Sequence, residues 1–177
     1  MGVRFCLDLA QCHLRQATSE DLGELKVFLA GLFPLRYSSR FYQQIALGLE
    51  TKCLMAYWKA TLVGLVCFRC EPEASAANSV QILVVGVLPV FQRLGIGSLL
   101  VERVKQQYPT SRLYLHVQCS NANALRFYQK HSFFVVERVK DYYSGIPEEK
   151  DAFLLEFFTS SSKQPSDESF VAQSHTH

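Results

Sequence analysis

Leu22, Leu25, Phe28, Leu29 and Leu32 recur three and four residues apart, the spacing of one face of a helix. Ser19 just before them serves as an N-cap, and Glu20 and Asp21 put acidic side chains in the first turn. Pro34 stops that helix. A second, short helix follows Ser38 and Ser39, with Phe41, Ile45 and Leu49 on one side. Ahead of both helices, 13–18 alternates as a first strand. Behind them the period changes. Residues 53–58 and 62–70 are apolar runs with strand character, joined through Lys59-Ala60 by a link short enough for a hairpin. Residues 71–79 are small and polar and read as a loop. Residues 80–88 form a β-branched run around Gly86, and glycine inside a strand marks a bulge or a close backbone approach. A turn over 92–97 leads to a helix whose apolar face is Ile96, Leu99, Leu100 and Val104. A strand over 113–117, a helix over 121–130, a strand over 133–139 and a last strand over 151–158 follow. The order β-α-α-β-β-β-α-β-α-β-β predicts a layered α/β architecture with β-meander and β-α-β pieces.

Composition narrows the classes. The 177 residues favour one domain with one core, spanning 13–158, after an N-terminal extension over 1–12. Residues 159–177 are Ser-rich and polar and read as a disordered tail. Hydrophobic residues make up 49% and charged residues 19%, a globular balance. A net charge of +2 argues against a nucleic-acid binder, which would carry a clustered basic patch. No apolar run reaches the roughly 18 residues of a membrane-spanning helix. Asp8, Gln11 and His13 interrupt the N-terminal apolar residues, against a secretory signal. Gly2 raises N-myristoylation, but Cys6 stands where Ser or Thr is wanted. Of six cysteines, Cys67 and Cys70 form a lone C-x-x-C without a second pair, on a strand that points them to opposite faces. They read as reduced cysteines of a cytoplasmic protein, a reading that also suits the nucleus.

Candidate chemistry begins at 84–97, where a strand passes through a glycine turn into a helix. The free N–H groups and positive dipole end of a helix start make an anion site suited to a pyrophosphate. Leu100 occupies the third glycine position of a dinucleotide fingerprint, and the G-K-[ST] end of a P-loop is absent. The pattern that fits is Q-x-x-G-x-G, Gln92 through Gly97. A second segment, Leu113-Tyr114-Leu115-His116-Val117-Gln118, precedes Asn121, Ala124 and Tyr128, whose i, i+3, i+7 spacing puts them on one helical face.

On these residues the chain resembles the GNAT N-acetyltransferases, with 80–105 similar to their motif A. The resemblance implies a GNAT fold, a mixed, mostly antiparallel central sheet with helices on both faces, and acetyl-CoA as acetyl donor without a metal. By the same likeness Val85, Gly86 and Val87 hold the acetyl and pantetheine end. Gln92, Arg93, Leu94, Gly95, Ile96, Gly97 and Ser98 hold the diphosphate. Asn121 hydrogen-bonds the cofactor, and Tyr128 lies near the leaving thiolate, to which its hydroxyl would donate a proton. The family has glycine where Ser132 stands, which points to a left-handed position there.

Two further segments, Phe33-Pro34-Leu35-Arg36-Tyr37 and Asp141-Tyr142-Tyr143-Ser144-Gly145-Ile146, resemble loops of the N-terminal acetyltransferases of the NatE catalytic-subunit and NatF types. That likeness implies protein N-terminal peptides as acceptors, and other N-terminal acetyltransferase subunits as candidate partners. Phe33, Pro34, Leu35, Leu83 and Ile146 would line a pocket for an initiator methionine followed by a non-small residue. Tyr37, Tyr142 and Tyr143 would hydrogen-bond the peptide backbone. His116 is the candidate base. In the relatives it works with a tyrosine on the motif A strand, where this chain has Gln81. Glutamine can hold a water but cannot accept a proton as a base. Competing readings are a GNAT acting on lysine side chains or small amines, and a weakly active acetyl-CoA-binding auxiliary subunit.

Overall fold

The structure, a computed structural model, describes residues 8–33, 37–71, 79–143 and 150–157. Gly2, Cys6, Pro34, Leu35, Arg36, Ile146 and the 159–177 segment lie outside the described residues.

Alternation of apolar and polar side chains becomes a seven-stranded sheet. Its strands are β1 (Cys12–Gln16), β2 (Thr51–Trp58), β3 (Thr61–Glu71), β4 (Ser79–Val87), β5 (Arg112–Gln118), β6 (Phe133–Val139) and β7 (Ala152–Phe157), in the spatial order β1-β2-β3-β4-β5-β7-β6. Every neighbouring pair is antiparallel except β4–β5. The helices are α1 (Leu22–Leu32), α2 (Ser39–Ala46), α3 (Ile96–Gln107) and α4 (Ala122–Lys130). Each sheet face is sealed separately. Leu100, Val101 and Val104 of α3 pack on Leu113, Leu115 and Val117, while Leu25, Leu29, Phe41 and Ile45 of α1 and α2 pack on Met55, Leu65 and Val84. Cys67 lies in the α1–α2 core and Cys70 on the opposite face, against the Tyr108 hydroxyl.

Two features of β4 build a cleft. Pairing with β5 runs only from Ser79↔Arg112 to Ile82↔Leu115, although both strands continue, so they part beyond Ile82. On the other side the β3–β4 register skips Leu83: Phe68 faces Ile82, and Cys67 faces Val84. Leu83 is thus the extra residue of a bulge. The side-chain alternation flips there, with Ile82 in one core and Val84 in the other. Gly86 is therefore the close approach, not the bulge. A Cβ on it would sit 3.0 Å from Leu32 Cδ1 and 3.2 Å from Phe33 Cε2.

Two helix starts differ from the sequence expectation. Asp21, not Ser19, organises the entry to α1. Its Oδ2 accepts from the Thr18 backbone N–H at 2.7 Å and from the Thr18 hydroxyl at 3.0 Å. Arg15 clamps both Asp21 oxygens at 2.6 and 2.7 Å and holds this carboxyl well below its usual range. Residues 19–21 consequently form a 3-10 turn, and β1 ends at Gln16 instead of running to 18. Asn121 is likewise a cap: its Oδ1 accepts from the Ala124 N–H at 3.0 Å, and α4 begins one residue later.

Candidate active site

The glycine turn closes on itself. Gln92 Nε2 donates to the Val87 carbonyl at 3.0 Å, and Gly95 caps α3 in the left-handed region, with φ 91°. A side chain at Gly95 would be strained, and its Cβ would meet Leu9 Cδ1 at 2.8 Å. Arg93 also has positive φ, 61°. The first helical bond of α3 runs from Leu99 N to Gly95 O, so the N–H groups of Ile96, Gly97 and Ser98 precede the helical ladder. The run from Gln92 to Ser98 contains one cation, Arg93, and no carboxylate. Free amides, a helix N-terminus and a guanidinium fit a diphosphate. Ser98 Oγ hydrogen-bonds His131 Nε2 at 3.0 Å, and His131 Nδ1 meets Glu102 Oε1 at 2.9 Å, a staple between α3 and the end of α4. The ring of Phe127 lies over Gly97, 3.4 Å from where a Cβ would be. Motif spacing does not point to Phe127 or His131. They reach the turn from another element, Phe127 on α4 and His131 at its C-cap.

Val85, Gly86 and Val87 line β4 beyond the point where β5 departs. Val85 and Val87 pack toward the α3–α4 core. Across the opening, the alternation of β5 buries Leu113, Leu115 and Val117 and turns Tyr114, His116 and Gln118 to the other face, half-buried. His116 Nδ1 is buried and has no hydrogen-bond partner among the described residues. That is not the state of a satisfied core histidine. Desolvation holds the imidazole pKa below its usual 6.5, opposed by the Glu137 charge, with Arg112 lowering it further.

Tyr142 and Tyr143, which follow β6, lie over this face. Tyr142 stacks on His116, and Tyr143 meets Tyr142 edge-on at 4.9 Å between centroids. The Tyr143 hydroxyl donates to the His116 carbonyl at 3.3 Å. Gln81 hydrogen-bonds the Tyr142 side chain. Tyr37 stacks on Phe41 at 4.7 Å, and burial raises its hydroxyl to about 12, with a contribution from Tyr143. Burial also takes Tyr143 to about 12. Leu83, Leu32, Phe33 and Tyr37 all border the α1–α2 core, which puts apolar surface beside the tyrosines. Tyr128 is buried, edge-on to Phe127 and Phe133, and its hydroxyl is pushed well above 10 by burial and then by Tyr143. It is both a packed aromatic and a neighbour of the cleft.

The structure therefore unites His116, Gln81, Tyr142 and Tyr143, sets Tyr37, Phe33 and Leu83 beside them, and brings the glycine turn to the end of the same strand. Asn121 is diverted in part, because its side-chain oxygen caps α4. The contact between Gln81 and Tyr142 was not foreseen. No sequence pattern links positions so far apart in the chain.

Comparison with known proteins gives one consistent result. The acetyltransferase (GNAT) family profile matches residues 18–133. N-alpha-acetyltransferase 50 of Danio rerio is 33% identical over 148 residues, covering 81% of this chain and 86% of the relative. Among solved structures, Arabidopsis thaliana Naa50 in complex with the bisubstrate analogue CoA-Ac-MVNAL has a TM-score of 0.72 and 31% identity, covering 82% of this chain and 97% of that one. Arabidopsis thaliana NAA60 in complex with acetyl-CoA has a TM-score of 0.74 and 26% identity, covering 83% and 98%. With its parted β4 and β5 and its glycine turn at the start of α3, the chain belongs to the GNAT acetyltransferase family.

Proposed function

We propose that this protein transfers the acetyl group of acetyl-CoA to the free α-amine of protein N-termini, taking Met in the first position, followed by a non-small residue. The observation that carries the reading is the base candidate His116, desolvated and with its buried Nδ1 unpaired among the described residues, at the point where β4 and β5 part. Support for the acceptor comes from relatives named as N-alpha-acetyltransferases, and from Naa50 bound to an analogue whose peptide begins with Met.

Acetyl-CoA supplies the acetyl group as an activated thioester. The residues from Gln92 to Ser98 bind its diphosphate through backbone N–H groups. Asn121 and the Val85–Val87 segment of β4 would hold its pantetheine arm. Beyond Ile82, the N–H groups of β4 on the β5 side have lost their strand partner, so they are available to a developing oxyanion. An α-amine has pKa about 7.7–8.0 and is roughly a quarter neutral near physiological pH, whereas a lysine amine is neutral to about one part in a thousand. A weak base is enough for the α-amine. His116, kept neutral by burial, takes the ammonium proton directly or through water. Tyr128 stays protonated. Its pKa lies above the ~8.5 of an ordinary thiol, so it would steady the departing sulfur by donating a hydrogen bond, and the proton shed by the newly acylated nitrogen would pass to solvent or to the thiolate. Phe33 and Leu83 offer apolar surface for a first side chain, and Tyr37, Tyr142 and Tyr143 offer hydroxyls for the peptide backbone.

The test is acetyl transfer to peptides with free N-termini, beside lysine peptides blocked at the N-terminus. Met-initiated peptides should be acetylated with the highest kcat/KM. Enclosing a Met side chain instead of Ala is worth about 1.5–3 kcal/mol. Transfer to blocked lysine peptides alone would overturn the acceptor assignment, and equal rates for Met, Ala and Ser peptides would overturn the methionine pocket.

A further inference from the structure

A second recess opens beyond the tyrosines. It is a cavity of about 330 Å³ lined by Ser38, Arg40, Phe41, Gln44, Glu50 and Arg69. Two observations join it to the acceptor cleft. Arg69 of β3 pairs in register with Gln81 of β4, on the same sheet face, and Gln81 hydrogen-bonds Tyr142. Phe41, in the cavity wall, stacks on Tyr37. The cavity therefore continues the floor and the wall of the groove over which an acceptor peptide would leave His116.

Its chemistry is cationic. Two guanidinium groups, those of Arg40 and Arg69, face one carboxylate, Glu50, to which Gln44 Nε2 donates at 3.4 Å. Arg69 Nε is buried and has no hydrogen-bond partner among the described residues. The Arg69–Glu71 pair is long, at 3.9 Å, and Glu71 Oε2 already accepts from the Tyr114 hydroxyl at 2.7 Å. A buried donor without a partner is costly, and a carboxylate is the group that satisfies a guanidinium fork best. A lysine side chain would meet like charge, and a neutral one would forgo the charge-assisted bond.

We propose that this cavity is a subsite for an acidic side chain of the acceptor peptide, held by Arg69 and Arg40. The proposal rests on the N-terminal acetylation reading. β5 and β3 are separated by two strand spacings, ~10 Å, or about three residues of extended peptide. The side chain concerned therefore belongs to the second, third or fourth peptide residue.

The experiment compares Met-initiated peptides carrying Glu, Gln or Lys at positions two, three and four in turn, each free at the N-terminus. At one position the Glu peptide should have a KM at least fivefold below the Gln peptide at similar kcat, with the gap shrinking as salt is raised. Arg69→Gln should bring the Glu peptide to the level of the Gln peptide, Arg40→Gln should narrow the gap, and Arg69→Glu should reverse the preference toward Lys. Arg40 is exposed on α2, so its variant reports even if a change at Arg69 compromises folding. Equal KM for Glu and Gln peptides at all three positions overturns the subsite, as does a preference that survives both arginine variants. Failure of the underlying reading looks different, because then the Gln peptides themselves would not be acetylated.

Discussion

The imidazole of His116 lies flat against the phenol ring of Tyr142, with ring centroids 3.9 Å apart and planes 11° apart. The stack covers the ring that the chemistry needs neutral, and desolvation is the leading cause of its lowered pKa. The sign follows directly. Protonation of His116 removes the base, so kcat should fall on the acid side with a midpoint below the usual 6.5. Tyr142→Ala uncovers the ring and should move that limb upward. His116→Ala should lower kcat by about 10²-fold or more with acetyl-CoA affinity nearly kept. Rate profiles with peptides of differing α-amine pKa separate the enzyme's titration from the acceptor's. A full-speed His116→Ala enzyme would mean that water suffices as the base.

The glycine turn offers a test of cofactor binding, and the backbone decides which glycine to use. Gly95 has φ 91°, so any side chain there adds strain to whatever it does to a ligand. Gly97 has an ordinary helical place, and the nearest neighbours of a Cβ there would be Phe127, at 3.4 Å, and Val87, at 3.8 Å. Gly97→Asp puts a carboxylate among the first-turn amides, where the diphosphate is expected. Calorimetry should show acetyl-CoA affinity at least tenfold weaker, about 1.4 kcal/mol. Unchanged affinity in a folded variant would remove the diphosphate from this turn.

Periodicity was the most legible feature of this chain. Every predicted strand and helix exists among the described residues, because the apolar face of each element also seals one side of the sheet. Legibility ended where a side chain serves a neighbour instead of a pattern. Ser19 looked like the cap, yet Asp21 reaches back to Thr18 because Arg15 holds its carboxylate from β1. Gly86 pointed to a bulge or a close approach and is the close approach, while the extra residue is Leu83, which no composition rule distinguishes from a regular strand position. The residue types of the candidate site were readable from motifs. The stack of Tyr142 on His116 and the bond from Gln81 join residues far apart in the chain, and local sequence does not encode that.

Ser132 follows the end of α4 with φ 61°, the left-handed geometry inferred from the family's glycine. Its N–H donates to the Gln129 carbonyl at 3.0 Å, so the turn fixes this conformation whatever the side chain. A non-glycine residue there carries about 1–2 kcal/mol of strain. Ser132→Gly relieves it but gives the unfolded chain more freedom, worth about 0.4–1 kcal/mol in the other direction. The variant should be the more stable by about 0.5–1 kcal/mol, a rise in Tm of roughly 1–4 °C. A lower Tm in thermal melts would mean that the serine side chain makes a contact outweighing the strain.

Gln81, the residue that the family resemblance sets against a tyrosine, has its side chain engaged with Tyr142. This makes it a positioning residue acting through the ring stacked on His116. Gln81→Leu keeps the bulk and deletes the hydrogen bond, worth about 1 kcal/mol. Tyr142 is then held less firmly, so KM for the peptide should rise about fivefold while acetyl-CoA affinity is unchanged. Gln81→Glu separates positioning from mere space-filling. Its carboxylate can accept from the Tyr142 hydroxyl and so preserve the contact, while adding a negative charge on the strand beside His116. An added negative charge favours the imidazolium, so the acid limb of kcat should move to higher pH, opposite to the effect of burial. Introducing the relatives' residue, Gln81→Tyr, brings a second phenol to the place where Tyr142 is already bound. If the tyrosine contributes chemistry of its own, kcat rises. If the arrangement here depends on the Gln81–Tyr142 contact, KM rises with it. A Gln81→Leu enzyme with wild-type KM and an unmoved pH profile in Gln81→Glu would together remove Gln81 from the site.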